Sequence, residues 1–164
     1  MGRGIAQVLA QSGARTLLYD AQPGAAKKGK EAIAGARGKL TEKGKLAAAD
    51  AQAALGRIEV VDSIAAFAPC QVVVEAIIEE LAGKRQLFGS LEKHVSAECI
   101  LASNTSSLSV TAMAAACQRP QRVAGYHFFN PVPVLKIVEV VDGVQTERWA
   151  TDALTGLAKR FGHT

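Results

Sequence analysis

Short apolar runs alternate with longer stretches of helical period along nearly the whole chain, and this alternation restricts the fold more than any other feature. The runs are Thr16 to Tyr19, Arg57 to Val61, Gln71 to Glu75, Cys99 to Ala102, Arg122 to Tyr126 and Leu135 to Val141. Helical segments fall at about 2–11, 24–44, 47–55, 79–95, 109–116 and 146–161. In the fourth of these, Leu81, Leu87, Phe88 and Leu91 align on one face. Strands alternating with helices predict a mostly parallel sheet covered on both faces, a doubly wound α/β layer. The unbroken Val72-Val73-Val74 suits a strand buried on both sides. A chain of 164 residues is long enough for one domain with its own core.

The first residues, M-G-R-G-I-A-Q-V-L-A-Q-S-G, enter a helix with no strand before it. In a doubly wound nucleotide fold the motif G-x-G-x-x-G joins the first strand to the first helix, and an acidic residue at the end of the second strand holds a ribose. Gly2 fits the third glycine of that motif, and Asp20 follows 18 residues later at the end of a predicted strand. An aspartate there accepts from a ribose 2′-hydroxyl and repels a 2′-phosphate, which favours NAD over NADP. The expected architecture is therefore a Rossmann-type sheet whose first strand is missing, with the chain truncated at its start.

Composition removes several alternatives. With 49% apolar and 21% charged residues the chain is globular rather than disordered. No apolar run reaches the ~18 residues of a membrane span, and the start lacks a signal-peptide pattern, so no membrane partner is expected. Cys70, Cys99 and Cys117 are odd in number and never form C-x-x-C, which argues against a metal site and against disulfides. They read as small hydrophobes in a reducing cytoplasm. Net charge is +4, and the excess gathers at Lys27, Lys28, Lys30, Arg37, Lys39, Lys43 and Lys45. No aromatic residue accompanies them to stack on bases, so nucleic acid is not the expected partner. A solvated helix face and a site for an anionic small molecule both remain open. Trp149, at helical spacing from Ala153, is expected in the core.

Two stretches carry chemistry. Ala102-Ser103-Asn104-Thr105-Ser106-Ser107-Leu108 gathers hydroxyls and an amide between a strand and a helix, where such sheets bind ligands; helix capping is the plainer reading. Gly125-Tyr126-His127-Phe128-Phe129-Asn130-Pro131 places a histidine at a strand end before a proline-stiffened turn. Glu139 follows within the apolar strand Leu135 to Val141. A carboxylate among apolar residues is costly unless paired, so His127 is its expected partner. Such a carboxylate fixes the imidazole tautomer and frees the other ring nitrogen as a base.

Taken together, M-G-R-G-I-A-Q, L-L-Y-D, V-V-E-A-I-I-E, S-N-T-S-S-L-S, R-V-A-G-Y-H-F-F-N-P-V-P-V and L-K-I-V-E-V-V resemble the NAD-binding domain of the L-3-hydroxyacyl-CoA dehydrogenase family. The likeness runs from Met1 to about Gly162. It implies NAD-linked oxidation of an L-3-hydroxyacyl-CoA, with His127 as base and Glu139 as its partner. It places Ser106 and Asn130 in the substrate and nicotinamide pocket, and Asn104, Glu79 and Lys84 on the cofactor. Gly2 and Asp20 would serve the adenosine half, and Lys43 would meet the CoA phosphates together with Ser106 at the acyl end. Ala36 stands where some members carry a serine for that contact. The first two fingerprint glycines are absent, as is the helical domain through which the family dimerises, so the parent is expected to be a homodimer through that domain. Two alternatives stay open: an inactive nucleotide- or CoA-binding fragment, and an NAD-linked dehydrogenase of sugar acids.

Overall fold

The computed structural model describes all 164 residues. Every expected strand and helix forms. The strands are β1 (Thr16–Leu18), β2 (Ile58–Val60), β3 (Val72–Glu75), β4 (Ile100–Ser103), β5 (Val123–Phe128) and β6 (Val138–Asp142). The helices are α1 (Gly2–Gln11), α2 (Ala25–Glu42), α3 (Ala48–Gly56), α4 (Leu81–Leu91), α5 (Val110–Ala114) and α6 (Arg148–Arg160). Short 3₁₀ turns at Ile64–Phe67 and Pro120–Arg122 complete the chain.

The residues group into two units, 3–63 and 64–164, with Met1 and Gly2 belonging to the second. In the first, β1 and β2 pair in parallel with Thr16 opposite Ile58. Ala10, Ile33 and Ile58 form its core, with Leu18 and Leu55 packed against them. Gly13 ends α1 at φ +96°, a conformation open to glycine at little cost. The Arg57 guanidinium then donates to the Ala10 carbonyl at 3.1 Å and satisfies a group the helix leaves unpaired.

In the second unit the strand order is β3-β4-β5-β6. The first three are parallel and β6 runs antiparallel to β5. Parallel strands joined through helices make the Rossmann-like α/β pattern that the alternation predicts.

Val73, Phe88, Leu91, Leu101, Met113 and Val123 make the core of this unit. Cys99 is buried, and none of the three cysteines forms a disulfide. Burial pushes the Cys99 and Cys117 thiols up to about 11, which leaves them unreactive. The buried Arg122 guanidinium ties several segments together. It donates to the carbonyls of Ser96 and Cys99, and at 3.3 Å to Glu92. Glu92 in turn accepts from the backbone N–H of Gln118 and Arg119 at 2.7 and 2.8 Å.

Three expectations need correction. Trp149 is not in the core: it is 41% exposed and donates to Glu147. Helix α6 buries Ala150, Leu154 and Ala158, a spacing of four that turns position 149 off the inner face. Strand β6 starts at Val138 rather than Leu135, because residues 131–135 are spent on a turn in which Val134 and Leu135 donate to the Pro131 carbonyl. The basic stretch is not all solvated face. Arg37 is buried and donates to the Asp50 carbonyl, and Lys30 donates to that of Ile58.

Gly125 is required by close approach. It lies opposite Val141 in the β5–β6 register, and a Cβ there would sit 2.9 Å from the Val141 Cβ and 3.2 Å from a Val110 methyl. Gly125→Ala is expected to cost about 1–3 kcal/mol through overpacking and to shift the β6 register contact two residues from His127. A thermal melt of the variant checks the first effect, and amide exchange in β6 the second.

Candidate active site

The carboxyl ends of β3, β4 and β5 lie side by side, and the side chains gathered there form two linked groups. The first is the histidine pair. His127 and Glu139 are direct partners in the antiparallel β5–β6 ladder, so their side chains project to the same face. His127 Nδ1 and Glu139 Oε2 are 2.8 Å apart. A carboxylate only accepts, so Nδ1 is the donor in this contact, and in the neutral ring that leaves the lone pair on Nε2. The ring also leans on Phe129, with centroids 4.7 Å apart and planes at 52°. The pairing expected from sequence is present, but not for the reason given there. The Glu139 side chain is 58% exposed, so burial does not force it onto the imidazole; strand register does.

The second group is buried. Glu75, the last residue of β3, is 3% exposed. Its Oε1 accepts from Lys84 Nζ at 2.6 Å and from the Ile77 N–H at 2.7 Å, and its Oε2 accepts from Ser103 Oγ at 2.6 Å. Lys84 also reaches Glu79 Oε2 at 3.2 Å. The other oxygen of Glu79 accepts from the Thr105 hydroxyl and from the Ser106 N–H. Burial raises the pKa of Glu79. The hydrogen bonds from Thr105, Lys84 and Ser106, with the Lys84 charge, outweigh that and hold the carboxyl below its ordinary range.

The hydroxyl-rich segment divides its labour. Ser103 and Thr105 turn inward, and Thr105 Oγ1 also accepts from the N–H of Ser107 and Leu108. Ser109 caps α5 by accepting from the Ala112 N–H. Ser106 stays exposed. Asn104 bridges two strand ends: its N–H donates to the Glu75 carbonyl and its Oδ1 accepts from the Phe128 N–H, both at 2.8 Å. That commits its carbonyl to β5, leaving its NH₂ as the part able to meet a ligand. Asn130 is exposed in the turn after β5 and is joined to Pro131 by a cis peptide bond.

Lys84 differs from its expected place. It is 1% exposed, so in this geometry its ammonium serves the two carboxylates rather than a ligand surface. Glu75 is not given a role by the sequence reading, and Ser103 and Thr105 enter it only as members of the hydroxyl-rich stretch. The signal was present in Glu75, a carboxylate closing the buried run Val72-Val73-Val74, to which the cost of an unpaired charge applies with full force.

In the first unit, Asp20 follows β1 and turns on itself, its Oδ1 accepting from the Gln22 N–H at 2.8 Å. Lys43 is exposed at the end of α2, and Ala36 is exposed on that helix. A Cβ on Gly2 would be in ordinary contact with Ala76 at 3.8 Å, so these residues do not require glycine there by crowding.

The strand order and the polar edge define a dinucleotide-binding domain of the doubly wound class. All 164 residues match the family model described as 3-hydroxyacyl-CoA dehydrogenase, NAD binding domain, and the chain belongs to that family. It is 45% identical over its whole length to a probable 3-hydroxybutyryl-CoA dehydrogenase of Deinococcus radiodurans, of which it spans 59%. It is 40% identical over 162 residues to the 3-hydroxyadipyl-CoA dehydrogenase of Escherichia coli, covering 99% of this chain and 34% of that protein. A crystal structure of 3-hydroxybutyryl-CoA dehydrogenase from the same bacterium superposes with a TM-score of 0.98 at 40% identity, over 100% of this chain and 35% of that one. The chain thus spans at most about three fifths of these relatives.

The family's cofactor is NAD, and the residues at the edge suit it. Glu79 offers an anionic acceptor, Ser106 a hydroxyl, and Asn104 and Asn130 amides, which match the ribose hydroxyls and carboxamide of a nicotinamide nucleoside. No helix is long and apolar enough to cross a membrane.

Proposed function

We propose that the protein of which this chain is the NAD-binding part oxidises an L-3-hydroxyacyl-CoA to the 3-oxoacyl-CoA. The observation that carries this reading is the 2.8 Å contact between His127 Nδ1 and Glu139, which leaves Nε2 as a rigidly aimed acceptor. NAD, when bound, supplies the hydride acceptor. Nε2 of His127 takes the proton of the 3-hydroxyl as the C3 hydride departs and the carbonyl forms. Glu139 stabilises the imidazolium that results. Ser106 and Asn130 orient the hydroxyl and the thioester end, while Glu79 and Asn104 shape the nicotinamide edge, with Lys84 acting through Glu79. Gly2 and Asp20 serve the adenosine half.

The exposed lysines at the end of α2, Lys43 above all, suit the phosphates of coenzyme A. A cytoplasmic location is part of this reading, on the odd number and wide spacing of Cys70, Cys99 and Cys117. The test is NADH consumption by the full-length protein with acetoacetyl-CoA, run against sugar acids with NAD. Turnover of acetoacetyl-CoA alone supports the reading; turnover of sugar acids alone overturns it.

A further inference from the structure

We propose that Glu75 is a positioning residue, which fixes Lys84 and through it sets Glu79 at the carboxyl edge of the sheet. Every polar contact of its carboxylate is internal: Lys84, the Ile77 N–H and Ser103. Glu75 is therefore not placed to touch a ligand, and what it does it does through Lys84. The ammonium sits between two carboxylates, 2.6 Å from Glu75 and 3.2 Å from Glu79. Two negative charges and one positive leave a surplus of one negative charge, carried by the only member of the three that solvent reaches, Glu79 at 41% side-chain exposure.

A buried ion pair is a poor device for stability alone, because well-packed apolar residues of like volume serve as well or better. What the pair adds is orientation. Glu75 pins the ammonium, the ammonium pins one oxygen of Glu79, and Thr105 and Ser106 pin the other. The same Glu79 contact holds the backbone of Ser106, so the anchor also steadies the segment assigned to substrate. In terms of the dehydrogenase reading, on which this part rests, a fixed anion at this edge suits the cationic ring of the oxidised cofactor better than the neutral ring of the reduced one.

The test compares Glu75→Gln, Glu75→Asp and the double variant Glu75→Leu with Lys84→Met in the full-length protein. Carboxyl carbon NMR follows the titration of Glu79, and a thermal melt runs alongside. Glu75→Gln strands a buried ammonium and lowers the melting point. The double variant removes both charges and restores it, yet Glu79 titrates at clearly higher pH than in the parent because its cation is gone. Glu75→Asp keeps the charge and retains most of the downward shift. If the double variant restores the melting point and leaves the Glu79 titration where it was, the pair is merely structural and the proposal is wrong. Should the double variant fail to fold, Glu75→Asp against Glu75→Gln decides: equal Glu79 titrations in the two overturn it. Calorimetric titration of NAD and NADH separates the two readings. Glu79 moving with both affinities unchanged upholds the anchor and removes the nicotinamide from this edge.

Discussion

His127→Gln in the full-length protein is expected to lower turnover by about 100- to 10,000-fold, the range general base catalysis supplies, while NAD affinity holds. Glutamine is the informative choice. It keeps a neutral polar side chain of similar length opposite Glu139, and the β5–β6 ladder is held by backbone pairing rather than by the imidazole, so the strand pair and the pocket wall persist. What is lost is a basic nitrogen at the Nε2 position. The expected signature is a fall in kcat with KM for the acyl-CoA changed far less, because the proton is transferred only as the reaction proceeds. Steady-state kinetics with calorimetric NAD binding checks it. Turnover within about threefold of the parent would remove His127 from the role of base, since such a loss is far below what base catalysis contributes.

A large stability effect is expected at Glu92. Removing its carboxylate strands Arg122, whose side chain is 2% exposed, and frees the N–H groups of Gln118 and Arg119. Breaking a buried pair from one side costs about 3–5 kcal/mol, so Glu92→Ala should lower Tm by roughly 6–20 °C in a chain of this size. The double variant with Arg122→Met should recover much of that, because no uncompensated charge remains. A fall of only about 2 °C in a calorimetric melt would place Glu92–Arg122 with exposed pairs worth under about 1 kcal/mol. Arg122 heads the R-V-A-G-Y-H-F-F-N-P stretch, and its work is structural: it anchors the strand that delivers His127.

The order of elements was legible because the two periods, two for strands and 3.6 for helices, hardly overlap in this chain. Val72-Val73-Val74 and the aligned Leu81, Leu87, Phe88 and Leu91 left little choice. The ends were harder. A turn at Pro131 shortens β6, and no periodicity reports that. Trp149 shows the limit of reading one residue's spacing: Ala150, Leu154 and Ala158 own the inner face of α6, and small residues give a weak signal. At the site, the histidine and its carboxylate were found from sequence, although by an argument of burial that belongs to Glu75. The buried anchor stayed hidden because its members, at 75, 79, 84, 103 and 105, come together only when β3 and β4 pair with Glu75 opposite Ser103.

The nitrogen NMR spectrum of His127 addresses the central matter, whether Glu139 holds the ring with Nε2 available to accept a proton. In the full-length protein at a pH where the ring is neutral, the account predicts a protonated Nδ1 and an unprotonated Nε2, with that tautomer preference lost in Glu139→Gln. A neutral ring protonated on Nε2, or a mixture of tautomers that Glu139→Gln leaves unchanged, would contradict it.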